Sequence, residues 1–218
     1  LMVLVPAAVV SCMRMHTSKT ERPIVVTENT ADLAQRAKET REKTPIKIAD
    51  GLKIDLWATD SLAPDPIAMS IDDQGRVYIT RTNRQKNSEF DIRGHRDWMT
   101  PSIALQTVED RRAFLKETFA PEKSEQNNWL KDLNEDGSHD WRDLAVERDE
   151  VWRIEDTNGD GLADRAVRIL NDFFEEITDV AGALLVRAKD VFVGIAPDMW
   201  RLTDTNGDGI LDKKESIS

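Results

Sequence analysis

The chain has 218 residues, 39% of them hydrophobic and 33% charged, with a formal net charge of −11. That balance suits one globular unit with a tail, or part of something larger, and the absence of any basic patch argues against nucleic acid as a partner. The lone cysteine, Cys12, excludes an intrachain disulfide and any C-x-x-C-H haem attachment within this sequence.

In chain order, the first feature is apolar. Residues 1–10 are almost wholly hydrophobic, Ser11 is small and Cys12 follows. Val9-Val10-Ser11-Cys12 resembles a bacterial lipobox, which makes residues 1–12 a lipoprotein signal segment and Cys12 the expected lipidation site. The expected location is extracytoplasmic, in the periplasm or at the cell surface, with the membrane as a partner through Cys12. The apolar run is too short to span a bilayer, which takes about 20 residues, and two or more acyl chains give stable anchoring where one does not. An ordinary signal peptide with an incidental cysteine is the alternative. Because the chain starts at Leu1 rather than Met and stops at Ser218 just after a charged loop, truncation is expected at both ends.

Residues 13–50 are polar and read as a tether; residues 30–43 could form a helix, but without an apolar stripe. From Gly51 the pattern becomes that of strands. Residues 54–58 alternate, residues 67–71 form a second short run, and Asp72-Asp73-Gln74-Gly75 turns the chain into residues 76–80. Residues 84–148 interrupt this meander as a structured insertion. Within it, Thr107 is a helix cap with Asp110 at the capping-box position, Val108, Leu115 and Phe119 share a face, and Pro121 stops the helix.

Strands resume after the insertion, and with them a repeat. Val151-Trp152-Arg153-Ile154-Glu155-Asp156-Thr157-Asn158-Gly159-Asp160-Gly161 recurs 48 residues later as Met199-Trp200-Arg201-Leu202-Thr203-Asp204-Thr205-Asn206-Gly207-Asp208-Gly209. Residues 183–187 and 191–195 supply two further strands between the copies. Four short strands in a period of about 40–50 residues is the pattern of a β-propeller blade. The expected fold class is therefore mainly β: a partial propeller of about two blades over 51–218, with a helical insertion and a polar N-terminal tether. A solenoid is the structural rival.

The acids are unevenly spread. The windows 132–143, 156–167 and 204–215 hold 12 acids and 4 bases, so they carry −8 of the −11. Carboxylates crowded in this way repel one another unless a cation neutralises them. The last window fits D-x-[DN]-x-[DN]-G-x5-E in full, and calcium takes six to eight oxygen ligands in such a loop. Its candidate ligands are Asp204, Asn206, Asp208, the Ile210 carbonyl, Asp212 and Glu215. The middle window offers Asp156, Asn158, Asp160, the Leu162 carbonyl and Asp164, with Val167 where the glutamate would be. The first offers Asp132, Asn134, Asp136, Ser138, Asp140 and Asp143. The alternatives are tight Asn/Asp/Gly turns without metal, or helix–loop–helix hands, although the flanks of the last two loops read as strands.

The segments Ile71-Asp72-Asp73-Gln74-Gly75-Arg76-Val77-Tyr78-Ile79 and Glu89-Phe90-Asp91-Ile92-Arg93-Gly94-His95-Arg96-Asp97-Trp98, with the paired Trp-Arg-x-x-Asp-Thr-Asn-Gly-Asp-Gly units, resemble a known family. It is the membrane-bound dehydrogenases of planctomycetes, verrucomicrobia and bacteroidetes, also called haem-binding C-x-x-C-H proteins. The resemblance spans about residues 51–218. It implies a propeller similar to glucose/sorbosone dehydrogenases, a sugar or alcohol substrate, pyrroloquinoline quinone as a conceivable cofactor, and haem c in a downstream cytochrome domain. No C-x-x-C-H occurs here, and the catalytic histidine of the sugar dehydrogenases does not map onto this sequence.

Arg81, Arg84, Arg93, His95, Arg96 and Asp97 form the richest polar cluster. His95 is the candidate base, with Asp97 beside it and Arg93 as a grip on carboxylate or sugar hydroxyls; a salt-bridge network securing the insertion is the alternative. His16 lies in the tether and His139 in a metal loop. Trp98, Trp129 and Trp141 read as a sugar platform or as packing of the insertion. Two functions stand side by side: a calcium-bearing propeller of a sugar or alcohol dehydrogenase-like protein, or a non-catalytic calcium-dependent module that binds carbohydrate or protein.

Overall fold

The computed structural model describes residues 23–85, 88 and 92–217. Cys12 and His16 lie outside these residues. The fold is mainly β: nine strands in two antiparallel sheets, with three α-helices and short 3-10 turns among the described residues.

The first sheet contains β1 (Ile24–Thr27), β2 (Met69–Ile71), β3 (Val77–Thr82), β4 (Asp149–Glu155) and β5 (Arg165–Asp172), in the order β1-β5-β4-β3-β2. The second is the meander of β6 (Ala183–Arg187), β7 (Asp190–Ile195), β8 (Asp198–Thr203) and β9 (Lys213–Ser216). The strands seen in the sequence at 67–71, 76–80, 151–155, 183–187 and 191–195 are thus present, with shifted ends.

The first sheet is buried on both faces, and the period-two alternation of its strands sorts the side chains. Tyr78, Val151, Val167 and Ile169 face the second sheet and meet Val186, Val191, Val193, Ile195 and Leu202 in one apolar cluster. Val77, Ile79, Trp152, Ile154 and Ala166 point the other way. A bulge between Val151 and Trp152 adjusts the register of β4 against β5.

Two expectations change at the second face. Residues 24–43, read as part of a tether, fold onto the sheet. β1 pairs with β5 from Ile24↔Arg168 to Thr27↔Arg165. Asn29 then caps α1 (Thr30–Lys43), accepting from Ala31 N–H at 2.9 Å. The helix has no apolar stripe to announce it, because it buries only Leu33 and Ala37; Leu33, 2% exposed, reaches the cluster around Trp152. Residues 54–58 in turn join no ladder. Trp57 packs onto the same face, and its carbonyl accepts from Ala163 N–H at 2.7 Å.

The insertion carries α2 (Met99–Ala104), α3 (Val108–Thr118) and a core of Leu115, Phe119, Leu130 and Leu144, which Ile177 joins from the segment after β5. Thr107 caps α3 with the full capping box to Asp110, as its spacing predicts. Val108 is exposed, so the shared face reduces to Leu115 and Phe119.

The chain passes from the first sheet to the second at Ala181, where both backbone groups are held by buried side chains. Asp149 Oδ2 accepts from Ala181 N–H at 2.6 Å, and Thr80 Oγ1 donates to the Ala181 carbonyl at 2.7 Å. The Thr80 hydroxyl also accepts from Ala68 N–H at 3.1 Å. Arg84, 1% exposed, donates to Thr178 Oγ1 at 2.6 Å and to the Asp179 carbonyl at 3.3 Å. A buried polar group stripped of its partner costs about 1–3 kcal/mol. Thr80→Val and Asp149→Ala should each lower the unfolding free energy by at least that order, read as a shift of the urea midpoint of the full chain.

Candidate functional site

The loops 156–164 and 204–212 each connect antiparallel strands, β4 to β5 and β8 to β9, so they are not helix–loop–helix hands. Their internal bonds superimpose. Asp156 Oδ1 accepts from Gly159 N–H at 2.7 Å and its Oδ2 from Gly161 N–H at 2.9 Å; Asp204 does the same with Gly207 and Gly209 at 2.7 and 2.9 Å. Asn158 accepts from Asp160 N–H and Asn206 from Asp208 N–H, both at 2.9 Å. Asp160 accepts from Leu162 N–H and Asp208 from Ile210 N–H, again at 2.9 Å. The ninth residue closes each loop: Asp164 takes the Thr157 N–H at 3.0 Å and hydroxyl at 2.7 Å, and Asp212 takes those of Thr205 at 2.9 and 2.7 Å. Gly161 and Gly209 stand at φ +89° and +87°, the left-handed region that side chains disfavour.

Both loops also grip the structure that precedes them, through the N–H of their eighth residue. Ala163 N–H reaches the Trp57 carbonyl at 2.7 Å, and Leu211 N–H reaches the carbonyl of Ile169, on β5 of the first sheet, at 2.9 Å. Neither loop uses its twelfth residue. Val167 is buried on β5, and Glu215 on β9 pairs with Lys213 at 2.7 Å and Arg201 at 3.8 Å. The strand that follows the ninth residue thus sets Glu215 beside Arg201 and Lys213.

The loop 132–143 is a variant. Asp132 accepts from Asp136 and Gly137 N–H at 3.2 and 2.9 Å, and Asp136 from Ser138 N–H at 2.9 Å. Here a short helical turn follows, and the twelfth residue comes back. Asp143, fully buried, accepts from the N–H groups of Leu133, Asn134 and Asp140 at 2.8, 3.2 and 2.9 Å. Asp140 turns to the Arg142 guanidinium, whose hydrogen bonds hold its carboxyl down at about 2. His139 donates its backbone N–H to Ser124 Oγ.

The donor chemistry of the loops fits calcium: carboxylates, amide carbonyls and main-chain carbonyls, all hard oxygens. Among the described residues no three His, Cys, Asp or Glu side chains converge as a ready cage, because the carboxylates face their own backbone N–H groups. An ionised carboxylate has about four lone-pair sites, so these bonds leave capacity for an ion. Asp204, Asn206, Asp208, Asp212 and the Ile210 carbonyl, with their counterparts Asp156, Asn158, Asp160, Asp164 and the Leu162 carbonyl, would hold it.

The polar cluster read from the sequence does not assemble as one. Arg84 is buried at the sheet junction, and Arg81 lies 3.8 Å from Glu150 on β4. Arg93 is exposed and outside the cavity that His95 and Asp97 line with Trp98, Lys123, Gln126, Asn127 and Trp129. That cavity, about 300 Å³, sits in the insertion. His95 stacks on Trp98 with centroids 3.8 Å apart and meets Trp129 at 4.5 Å. Trp141 instead packs with the insertion core, under Lys116 Nζ at 4.5 Å. Lys123, Gln126 and Asn127 carried no signal in the sequence, since they come from a turn that has no periodicity.

At the foot of the loop 204–212, Asp190 accepts from Arg201 at 2.8 Å and from Thr203 Oγ1 at 2.9 Å. The Arg201 hydrogen bond, first, holds the Asp190 carboxyl below its ordinary value. A depressed carboxylate stabilises the fold above its unfolded value, near pH 4, and that contribution disappears as pH falls through the folded one. Asp190→Asn should therefore destabilise the protein at pH 7 and match wild type once the pH is well below 4, as read by thermal melts across pH.

Among the described residues no helix is long and apolar enough to cross a membrane. Searches of curated proteins and of solved structures gave no match. The model of one family, described as a domain of unknown function (DUF7133), matches residues 38–218, which takes in the second sheet, the first sheet apart from β1, the insertion and all three acidic loops. The chain belongs to the DUF7133 family.

Proposed function

We propose that this chain is a calcium-clamped β-propeller module of an exported, lipid-anchored protein. The observation that carries the reading is the duplication of the loops 156–164 and 204–212. Their hydrogen bonds agree atom for atom, and each sits at the corner of one four-stranded meander while its eighth residue grips the element before it. The strands β2 to β5 and β6 to β9 are two such meanders packed face to face through one apolar cluster. Read as propeller blades, they are consecutive members of a ring of at least four. Calcium at the loops neutralises the carboxylates and locks each hairpin end to its predecessor, so its role is mechanical.

The lipobox-like Val9-Val10-Ser11-Cys12 supports export and acylation at Cys12, and the resemblance to membrane-bound dehydrogenases brings with it a redox role. That role would need a seat for a quinone and a covalent site for haem. The sequence has a single cysteine, and Arg84 and Arg93 do not gather around His95 and Asp97. The proposed function therefore rests on the scaffold, with electron transfer left to any cytochrome partner.

The test is calorimetric titration of calcium into chelator-treated full chain, with melting curves. Saturable binding should raise the melting temperature, because an ion that binds only the folded state at 100 times its Kd adds about 2.7 kcal/mol. Asp160→Ala and Asp208→Ala should each remove one site and part of that rise. Heat-silent titration with unchanged melting would reduce the loops to turns.

A further inference from the structure

The cavity in the insertion has no part in the clamp. We infer that it is a binding subsite for a neutral pyranose ring of a polysaccharide. Trp129 is the first reason. It is 48% exposed, although it is the residue type with most to gain from burial. It is also held in place: Phe119 meets its ring edge to face at 5.9 Å and His95 abuts it at 4.5 Å. A fixed, open indole presents a negative face to the weakly positive C–H face of a sugar ring.

The rest of the lining is polar and also positioned. Asn127, 5% exposed, donates one amide N–H to the Thr118 carbonyl at 3.0 Å, and Lys123 Nζ donates to the Glu117 carbonyl at 2.7 Å. With those bonds made, Asn127 keeps its amide oxygen and one N–H, and Lys123 keeps two donors. Asp97 and Gln126 add acceptors and a second amide on the rim. A wall of mixed donors and acceptors opposite an aromatic platform suits a polyhydroxylated ligand. A lipid would leave the amides unpaired, and the opposite charges of Asp97 and Lys123 offset each other, which suits a neutral ligand. The volume, about 300 Å³, is at the small end for ligand pockets, roughly 300–1,000 Å³, so the site takes one ring of a longer chain rather than an oligosaccharide.

The cavity does not rest on the calcium reading, and saturating calcium throughout keeps the two separable. The experiment is native affinity electrophoresis of the full chain in gels containing xylan, galactomannan, β-glucan or starch, with dextran sulfate as the anionic control. At least one neutral polysaccharide should retard the protein, and its own oligosaccharides should compete. Trp129→Ala should weaken retardation about tenfold, the scale of one good aromatic contact, while Trp129→Phe keeps most of it. Gln126→Ala, at an exposed position with no role in packing, should weaken it as well, so the outcome does not hang on one variant's folding. Failure of every neutral gel, retardation by dextran sulfate alone, or unaltered retardation of both Trp129→Ala and Gln126→Ala would each overturn the proposal.

Discussion

The passage of the chain through Ala181 is the constraint on which the arrangement of the two sheets depends. Asp149 and Thr80 belong to neighbouring strands of the first sheet, and together they hold both backbone groups of Ala181. An apolar interface between two sheets tolerates sliding, because the hydrophobic effect is not directional. Buried hydrogen bonds are directional, and breaking them leaves groups without water or partner. The bond from Val186 N–H to Ser70 Oγ at 3.0 Å adds another fixed point, from β6 to β2. Between these points, Val191, Val193, Ile195 and Leu202 can meet Tyr78, Val151, Val167 and Ile169 in only one register.

The acidic loops follow from the same geometry. In the two hairpin loops nine residues suffice, because the ninth aspartate bonds back to the second residue and the strand begins at once. The loop 132–143 ends in a helical turn, not a strand. The turn brings Asp143 back over the loop, and Asp140 is released to Arg142. One sequence pattern thus has two closures, selected by the element that comes next.

Much of this is legible in the sequence. The runs at 76–80 and 191–195 are short and rich in β-branched residues, Thr107 and Asp110 mark the start of α3, and the 48-residue repeat marks the equivalent hairpins. Other parts are not. The helix α1 buries only Leu33 and Ala37, too little to leave a periodic trace, so residues 30–43 read as a solvated helix and its docking on the sheet left no signal. Residues 54–58 alternate like a strand because Trp57 packs on a sheet face, and alternation alone does not distinguish packing on a ladder from joining one.

What the sequence by itself determined is local: which runs become strands, where α3 starts, and that three loops concentrate carboxylates on an Asx-rich turn. These follow from side-chain period, cap chemistry and the left-handed glycines, all set within a few residues. The tertiary structure alone decided which polar groups share a neighbourhood. Arg84, Arg93 and His95 are near in sequence, yet Arg84 is drawn into the sheet junction, where the Thr178 hydroxyl and the Asp179 carbonyl accept from its guanidinium. Gln126, Asn127 and Trp129 instead come round to His95 because α3 and the following turn close on Phe119 and Leu130. Burial of a charge and closure of a core act between segments distant along the chain, and no spacing within one segment records them.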